Sequence, residues 1–242
     1  MPGLATTLLL LPGMASDAAL WRHQWPVLQA HPGLDVRVVD AHARFATLPE
    51  MGAALLAENP GELLLAGTSM GGILALETWQ QAPHRVKGLA LLGTSARPDT
   101  PELIVLRTQA CELFAAGRMD EVLRANLMFA FHADSLREQP GLAEAYLAMM
   151  GRAGPGQLIR QNRAIMARPD RRPMLPGMAC PTLVVCGDSD QLTPPEASRE
   201  LADGIPGAQL HLLPRCGHLL TWEQPGAVNR LLLEWLARAL GG

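Results

Sequence analysis

Gly67-Thr68-Ser69-Met70-Gly71-Gly72 lies between an apolar run at Leu63 to Ala66 and a segment with helical spacing at Gly72 to Gln81. A serine hydroxyl is a weak nucleophile, so it must be exposed and aligned with a base. A sharp turn from strand to helix exposes it, and the flanking glycines fit where a Cβ would collide. In a chain with 23 glycines, an ordinary glycine-rich turn is the alternative. The position between strand and helix favours Ser69 as a nucleophile.

Short apolar runs, partly β-branched, alternate along the chain with segments of helical spacing. The runs are Thr7 to Leu11, Asp35 to Val39, Leu63 to Ala66, Gly88 to Leu92, Thr182 to Cys186 and Gln209 to Leu213. The helical segments are Leu20 to Ala30, Leu48 to Glu58, Gly72 to Gln81, Pro195 to Ala202 and Ala227 to Leu240. This alternation predicts an α/β fold with a mostly parallel central sheet flanked by helices. Functional residues are then expected at the carboxyl ends of the strands.

The alternation stops between Ala96 and Met178, where apolar residues recur at helical intervals and no strand is indicated. Glycines and prolines divide this stretch into about four helices. The dividing residues are Gly117, Pro140-Gly141, Gly154-Pro155-Gly156 and Pro169 to Pro173. Because the stretch follows the fourth predicted strand, its helices are expected to cover the carboxyl edge of the sheet. The sequence therefore predicts a core of residues 1–95 and 179–242 and an inserted helical lid of residues 96–178.

Two further motifs follow the last two predicted strands. Cys216-Gly217-His218 comes after the final strand, at the edge from which a general base must reach Ser69. Asp188 and Asp190 come after the preceding strand, where a carboxylate can orient an imidazole and stabilise its protonated form. Both aspartates also suit a turn or a helix cap. We choose Asp190 over Asp188 as the acid that pairs with His218.

Two backbone amides are candidates for binding a developing oxyanion. The residue after a serine nucleophile, here Met70, points its N–H toward the reacting carbonyl from the start of the helix. The second donor must come from a loop after the first strand, where the chain reads Pro12-Gly13-Met14. An ordinary Pro-Gly turn is the alternative there. We expect Met14 and Met70 to donate through their backbones.

Composition excludes several classes of function. The formal net charge is −3 and the chain has no run of Lys or Arg, so no surface for nucleic acid or anionic lipid is indicated. The cysteines at 111, 180, 186 and 216 lack the spacing of a zinc site or redox pair. The first apolar run ends at Pro12-Gly13, too short for a signal peptide or membrane span. We expect a cytoplasmic protein without a metal or cofactor, and its oligomeric state is left open.

The chain resembles the α/β-hydrolase superfamily, in its small bacterial carboxylesterase and enol-lactonase branch, over nearly its whole length. Four pieces carry the resemblance: Leu10 to Met14, Ala66 to Gly72, Gly187 to Asp190 and Gly217 to Pro225. In chain order the family places serine, acid and histidine, with a helical cap inserted before the acid. The resemblance implies Ser69 as nucleophile, His218 as base and Asp190 as its partner. Where the family commonly has His-Gly after the first strand, this chain has Pro12-Gly13.

The resemblance implies a serine hydrolase that cleaves a carboxylic ester, or a related lactone or thioester, through an acyl-enzyme intermediate. Hydrolysis of a carbon–carbon bond, or lyase or perhydrolase chemistry with the same triad, is the alternative. A catalytically inactive binding protein on this fold is a further alternative. We expect the lid to supply most of a largely apolar pocket for a small substrate. Its candidate residues are Phe129, Phe131, His132, Met149, Met150 and Trp222, each of which also suits simple helix packing.

Overall fold

A computed structural model of the chain describes residues 6–241. Its centre is a sheet of strands in the spatial order β2-β1-β3-β4-β5-β6, with every neighbouring pair parallel. The strands are β1 (Thr6–Leu11), β2 (Leu34–Val38), β3 (Leu63–Thr68), β4 (Val86–Leu92), β5 (Thr182–Gly187) and β6 (Gln209–Leu213). Each predicted apolar run is a strand, so the predicted α/β fold is confirmed. Residues 1–5 and 242 belong to the predicted core, and residues 1–5 also belong to the N-terminal stretch interpreted as too short for a signal peptide or membrane span. These residues lie outside the described ones.

Helices connect the strands. The α-helices are α1 (Trp25–Gln29), α2 (Ala41–Arg44), α3 (Leu48–Glu58), α4 (Met70–Gln81), α5 (Pro101–Ala115), α6 (Met119–Ala130), α7 (Ala133–Glu138), α8 (Leu142–Met166), α9 (Pro195–Gly204), α10 (Leu220–Glu223) and α11 (Pro225–Leu240). Single 3₁₀ turns lie at Ala18–Trp21, Pro83–Arg85 and Arg172–Gly177. The segment predicted as one helix from Leu20 to Ala30 is thus a 3₁₀ turn followed by α1. Pro26 near the start of α1 fits only the first turn of a helix, so a continuous helix through this position is disfavoured.

The inner strands are largely apolar because both faces of the sheet are covered there, whereas the edge strands β2 and β6 also contain polar residues. In β1, Leu8 and Leu10 belong to one apolar cluster, whereas Leu9 and Leu11 belong to the cluster on the opposite face. Side chains of a strand alternate between faces, so a strand buried on both sides lacks polar alternation. The continuous leucine run of β1 is therefore a direct result of its central place in the sheet.

Residues 96–178, which we call the lid segment, contain α5 to α8 and a 3₁₀ turn. Gly117 and Pro140-Gly141 separate helices as predicted. Gly154, with φ 71° and ψ 167°, is non-helical and divides α8 into two helical parts, as predicted. A further break, between α6 and α7, comes at Phe131 and His132, where the imidazole Nδ1 accepts a hydrogen bond of 3.1 Å from the amide of Asp134. A side-chain cap, rather than glycine or proline, thus starts α7.

Candidate active site

Ser69 lies in the tight turn between β3 and α4 and has a φ of 52°, a region that favours glycine. A Cβ on Gly67 would overlap the backbone of Gly71, and a Cβ on Gly71 would overlap the carbonyl of Leu11. The turn is held by the Ser69 amide, which donates to the carbonyl of Leu92 at 2.9 Å. Thr94 Oγ1 also donates to the carbonyl of Ser69 at 2.7 Å. The glycines permit the turn, and the neighbouring strand keeps the strained serine in place.

His218 follows β6, and its Nδ1 lies 2.7 Å from Oδ2 of Asp190. The Asp190 carboxylate is buried, and its Oδ1 accepts the amides of Leu192 and Thr193, each at 2.9 Å. Thr193 Oγ1 donates to Oδ2 at 2.9 Å. An ionised carboxylate only accepts, so Nδ1 carries the proton and Nε2 is left with a free lone pair. This is the tautomer that a general base needs.

The structure separates Asp190 from Asp188, the other aspartate that the sequence placed after the same strand. Asp188 is exposed, and its carboxylate accepts a 2.7 Å hydrogen bond from the hydroxyl of Ser189. Asp190 is 3% exposed and is the aspartate that contacts His218. The geometry therefore brings Asp190, and not Asp188, to the imidazole.

The two groups shift each other's pKa. Burial alone would raise the pKa of Asp190, but the charge and hydrogen bond of His218 and the hydrogen bonds from Thr193 hold it below its usual value. Burial alone would lower the pKa of His218, but the Asp190 carboxylate, helped by the charge of Glu223, raises it above its usual value. The pair therefore favours an ionised aspartate beside an imidazole that gains a proton readily.

Ser69 and His218 line the same cavity, together with Gly13 and Met14. Its other apolar lining residues are Leu20, Met150, Leu192 and Leu219, and its other polar ones are Ser16, Thr68, Asn126, Tyr146 and Thr221. Within residues 6–241, no hydrogen bond joins the Ser69 hydroxyl to His218. Such contacts are often long in a free enzyme and shorten when substrate binds. The cavity brings the side chains of Ser69 and His218 to one space.

The two predicted oxyanion donors flank the serine. An ideal Cβ on Gly13 would lie 3.4 Å from the Cβ of Ser69, so the loop after β1 runs directly against the nucleophile. Met14 follows in that loop, and Met70 is the first residue of α4. Among the described residues, neither of these two amides has a hydrogen-bond acceptor in the protein. Both N–H groups are therefore available at the ends of elements that meet at Ser69.

Comparison with known proteins fits this geometry. The sequence pattern described as "Alpha/beta hydrolase family" matches residues 8–231. This chain belongs to the alpha/beta hydrolase family. The resemblance that the sequence motifs indicated is thus confirmed. Similarity to the solved structure of an esterase supports the small bacterial esterase and lactonase branch.

Three proteins similar to this hydrolase span most of its length. A "Putative carbamate hydrolase RutD" of Serratia proteamaculans is 27% identical over 97% of this chain and 92% of its own. A "2-hydroxy-6-oxononadienedioate/2-hydroxy-6-oxononatrienedioate hydrolase" of Cupriavidus pinatubonensis is 28% identical over 96% and 87%. The solved structure of a thermophilic esterase from Thermogutta terrifontis superposes with a TM-score of 0.87 at 28% identity, over 98% of this chain and 91% of that one. Related chains of the family thus carry names for several hydrolytic reactions.

The predicted pocket residues need correction. Of the six, Met150 alone lines the cavity that contains Ser69. Phe131 is buried and makes an edge contact with Tyr146 at 5.5 Å between ring centroids, and Trp222 donates its indole N–H to the carbonyls of Ala19 and Leu20. Met149 is also buried but faces a separate cavity, Phe129 is 41% exposed, and His132 caps α7. Helical spacing does not say which neighbour covers a side chain, so four of these side chains make their contacts elsewhere and Phe129 faces solvent.

The cavity residues that sequence analysis missed include three polar side chains that helices contribute. Asn126 and Tyr146 come from α6 and α8, and Thr221 from α10. Tyr146 is the single tyrosine of the chain. A lone tyrosine within a stretch of helical spacing was the available signal, because a buried phenol needs a hydrogen-bond partner.

Glu223 joins the lid segment to the loop of His218. Its buried carboxylate accepts the amide of His132 at 2.9 Å, the hydroxyl of Ser135 at 2.7 Å and the amide of Gly217 at 3.0 Å. Burial raises the pKa of Glu223 above its usual value, although these hydrogen bonds oppose the rise. In addition, the amide of His218 donates to the carbonyl of Ala130 at 3.0 Å. The loop that carries the base is thus anchored on the end of α6.

In the described part of the hydrolase, no helix combines the length and apolar character needed to cross a membrane. Residues 6–241 also bring no three His, Cys, Asp or Glu side chains together in a group suited to a metal ion.

Proposed function

We propose that this hydrolase cleaves carboxylic esters, including related lactones or thioesters, of small and largely apolar substrates through an acyl-enzyme intermediate. The observation that carries the proposal is the 2.7 Å contact between His218 and the buried Asp190, in a cavity that Ser69 also lines. A histidine held in this tautomer, in the same cavity as a partly buried serine, is the arrangement that activates a hydroxyl for attack.

In the first half-reaction, Ser69 Oγ attacks the ester carbonyl carbon while its proton passes to Nε2 of His218. The negative charge that develops on the carbonyl oxygen is bound by the amides of Met14 and Met70. The C–O bond to the alcohol then breaks, and His218 returns the proton to the departing oxygen. Asp190 stabilises the imidazolium throughout this half-reaction and stays ionised.

The second half-reaction repeats these steps with water. His218 takes a proton from the water, whose oxygen attacks the acyl carbon and forms a second oxyanion held by the same amides. The bond to Ser69 Oγ then breaks, Ser69 regains a proton from His218, and the acid leaves. Every proton and electron pair is accounted for by these residues and water, so the proposed steps call for no further reactant.

The lining of the cavity bears on which kind of acyl bond is cleaved. The apolar side chains of Leu20, Met150, Leu192 and Leu219 form much of the cavity wall, which suits an ester with a short hydrocarbon part. The similarity to an esterase supports this choice. The names of the other two relatives favour hydrolysis of a carbamate, or of an oxo-dienedioate substrate, as the second candidate on the same triad.

Covalent labelling tests the proposal without knowledge of the natural substrate. The folded protein is incubated with a fluorophosphonate, which reacts with activated serines, and its intact mass is measured. We expect one adduct on the unmodified protein and none on Ser69→Ala. Ser95→Ala is the matched control, because Ser95 lies outside the cavity and its hydroxyl accepts the amide of Arg97. It should be labelled like the unmodified protein.

The same protein is then assayed with p-nitrophenyl esters of increasing acyl length. Labelling at Ser69 together with ester turnover supports the proposal. Labelling without turnover of any ester, lactone or thioester would transfer the function to the second candidate. Absence of labelling in well-folded protein would contradict an activated Ser69 and favour a binding protein.

A further inference from the structure

Two polar side chains of the lid segment meet inside the cavity that Ser69 lines. Asn126 of α6 donates through Nδ2 to the hydroxyl oxygen of Tyr146 of α8 at 2.8 Å. Tyr146 is 2% exposed, and the edge contact with Phe131, at an interplanar angle of 82°, fixes the plane of its ring. The phenol hydroxyl is therefore held in one place on the wall of the cavity.

This pair has three hydrogen-bond donors, two N–H groups of Asn126 and the O–H of Tyr146, and only one of them is used within the described residues. With the amide N–H given to the phenol oxygen, the O–H of Tyr146 has no acceptor among residues 6–241. Turning the amide of Asn126 around would let the O–H donate to its carbonyl, but the amide N–H groups would then be free instead. In both arrangements a donor on this pair is left without a protein acceptor. A buried donor in this condition destabilises the protein until a ligand or water accepts from it.

Charge restricts what the spare donor can bind. The cavity is lined by no Lys, Arg, Asp or Glu from the described residues. Burial raises the pKa of Tyr146 above its usual value, so the phenol keeps its proton at neutral pH. A carboxylate or phosphate placed here would lack a cation to balance its charge, which is costly away from water. The pair therefore suits a neutral oxygen.

We infer that Asn126 and Tyr146 form a subsite for a neutral acceptor oxygen of the substrate, separate from the bond that is cleaved. The substrates are then esters or lactones that carry a ketone, ether or similar oxygen, rather than plain hydrocarbon acyl esters. This inference rests on the proposed function, because it places the extra oxygen on a substrate of Ser69.

Matched substrate pairs test the subsite. In each pair an oxygen function replaces a methylene: p-nitrophenyl levulinate against pentanoate, p-nitrophenyl methoxyacetate against butyrate, and methoxyethyl butyrate against butyl butyrate. The readout is the ratio of kcat/KM within a pair, compared between the unmodified protein and Tyr146→Phe. This comparison cancels the intrinsic reactivity of each ester. For at least one pair we expect the ratio to be about three- to tenfold higher in the unmodified protein, the effect of one hydrogen bond.

Phe114→Leu is the control for general disturbance of the lid segment. Phe114 is buried in α5 and does not line the cavity, so its shortening loosens lid packing without removing a polar group. Its kcat/KM ratios should equal those of the unmodified protein. Asn126→Leu provides a second test of the pair if Tyr146→Phe folds poorly, and it should lower the same ratio.

The outcomes distinguish this inference from the proposed function. Fluorophosphonate labelling of Ser69 with equal ratios in the unmodified protein, Tyr146→Phe and Asn126→Leu overturns the subsite alone. A fall in the ratio that Phe114→Leu reproduces also overturns it, because general loosening then explains the effect. Absence of labelling would overturn the proposed function itself.

Discussion

At the scale of single residues, the choice between Asp188 and Asp190 has a direct kinetic consequence. Asn at position 190 can turn an N–H toward Nδ1 of His218, which forces the proton onto Nε2 and removes the lone pair that Ser69 needs. We expect Asp190→Asn to lower kcat by about 10³- to 10⁴-fold in ester hydrolysis, as in other serine triads. Asp188→Asn is the matched control and should stay within about threefold, because a solvated surface substitution usually changes little. The reverse order of effects would assign the acid to Asp188.

A second residue-scale prediction concerns pH. Only the unprotonated imidazole can accept the proton of Ser69, so activity is lost as pH falls through the pKa of His218. Since Asp190 and Glu223 raise this pKa above 6.5, the acidic limb of kcat/KM against pH should lie above 6.5. Glu223→Gln removes one of the two negative charges, so the limb should move to lower pH. Glu77→Gln, which alters a buried carboxylate paired with Arg171 and away from His218, should leave the limb in place. An unchanged acidic limb in Glu223→Gln would show that Asp190 alone sets this pKa.

The sequence made Ser69, Asp190 and His218 the candidates because each follows a strand whose end had been located from apolar runs. It gave no sign of Glu223, whose role depends on His132 and Ser135, 91 and 88 residues away along the chain. Long-range partners of this kind follow from the packing of the lid segment, which local spacing does not specify.

At the scale of elements, α8 holds the loop that carries Met14. Gln161 of α8 is fully buried, and its Oε1 accepts the amide of Ala15 at 2.7 Å while its Nε2 donates to the carbonyl of His42 at 2.9 Å. Ala15 has a φ of 52°, so this hydrogen bond stabilises a strained residue next to Met14, the proposed oxyanion donor. We expect Gln161→Leu to lower kcat by about tenfold, with a smaller change in KM, because the loop matters most when the oxyanion forms.

The neighbouring residue provides the matched control for this element-scale prediction. Asn162 is also a buried amide of α8, but it contacts Leu158 and Arg107 and not the loop. Asn162→Leu should lower the melting temperature while kcat stays within about threefold of the unmodified protein. Equal losses of kcat in both variants would mean that α8 acts through overall stability alone. Steady-state kinetics with one p-nitrophenyl ester and thermal unfolding followed by circular dichroism provide the comparison.

At this scale, the positions of the buried strands could be predicted from the sequence, whereas the packing of the lid segment could not. A strand covered on both faces is apolar at every position, so its location can be read from composition. The helices α6 and α8 have one apolar stripe each, and the stripe alone does not say which part of the protein packs against it. Met149 of α8, and Phe131 just after α6, pack into the protein, whereas Asn126 and Tyr146 reach the cavity.

At the scale of the whole molecule, the lid segment and the sheet share one apolar core. Phe131, Tyr146 and Met149 belong to the same buried cluster as Leu183 and Val185 of β5. Separate folding of the lid segment would expose this shared surface to water, so the two parts should unfold in one transition. The chain provides its own probes: the five tryptophans lie outside residues 96–178, whereas the single tyrosine, Tyr146, lies within them. Tryptophan fluorescence and tyrosine derivative absorbance should therefore report the same midpoint on heating.

Phe131→Ala tests this shared core directly. Deleting a buried phenylalanine ring costs about 3–5 kcal/mol, which corresponds to a fall in melting temperature of roughly 6–20 °C for a chain of this size. If the core is shared, the fluorescence and absorbance midpoints fall together and by the same amount. A lid segment that folds by itself would lose its tyrosine signal first and leave the tryptophan midpoint near that of the unmodified protein. Leu55→Ala, in the cluster on the opposite face of the sheet, is the matched control and should also shift both midpoints together, because that face belongs to the same cooperative unit.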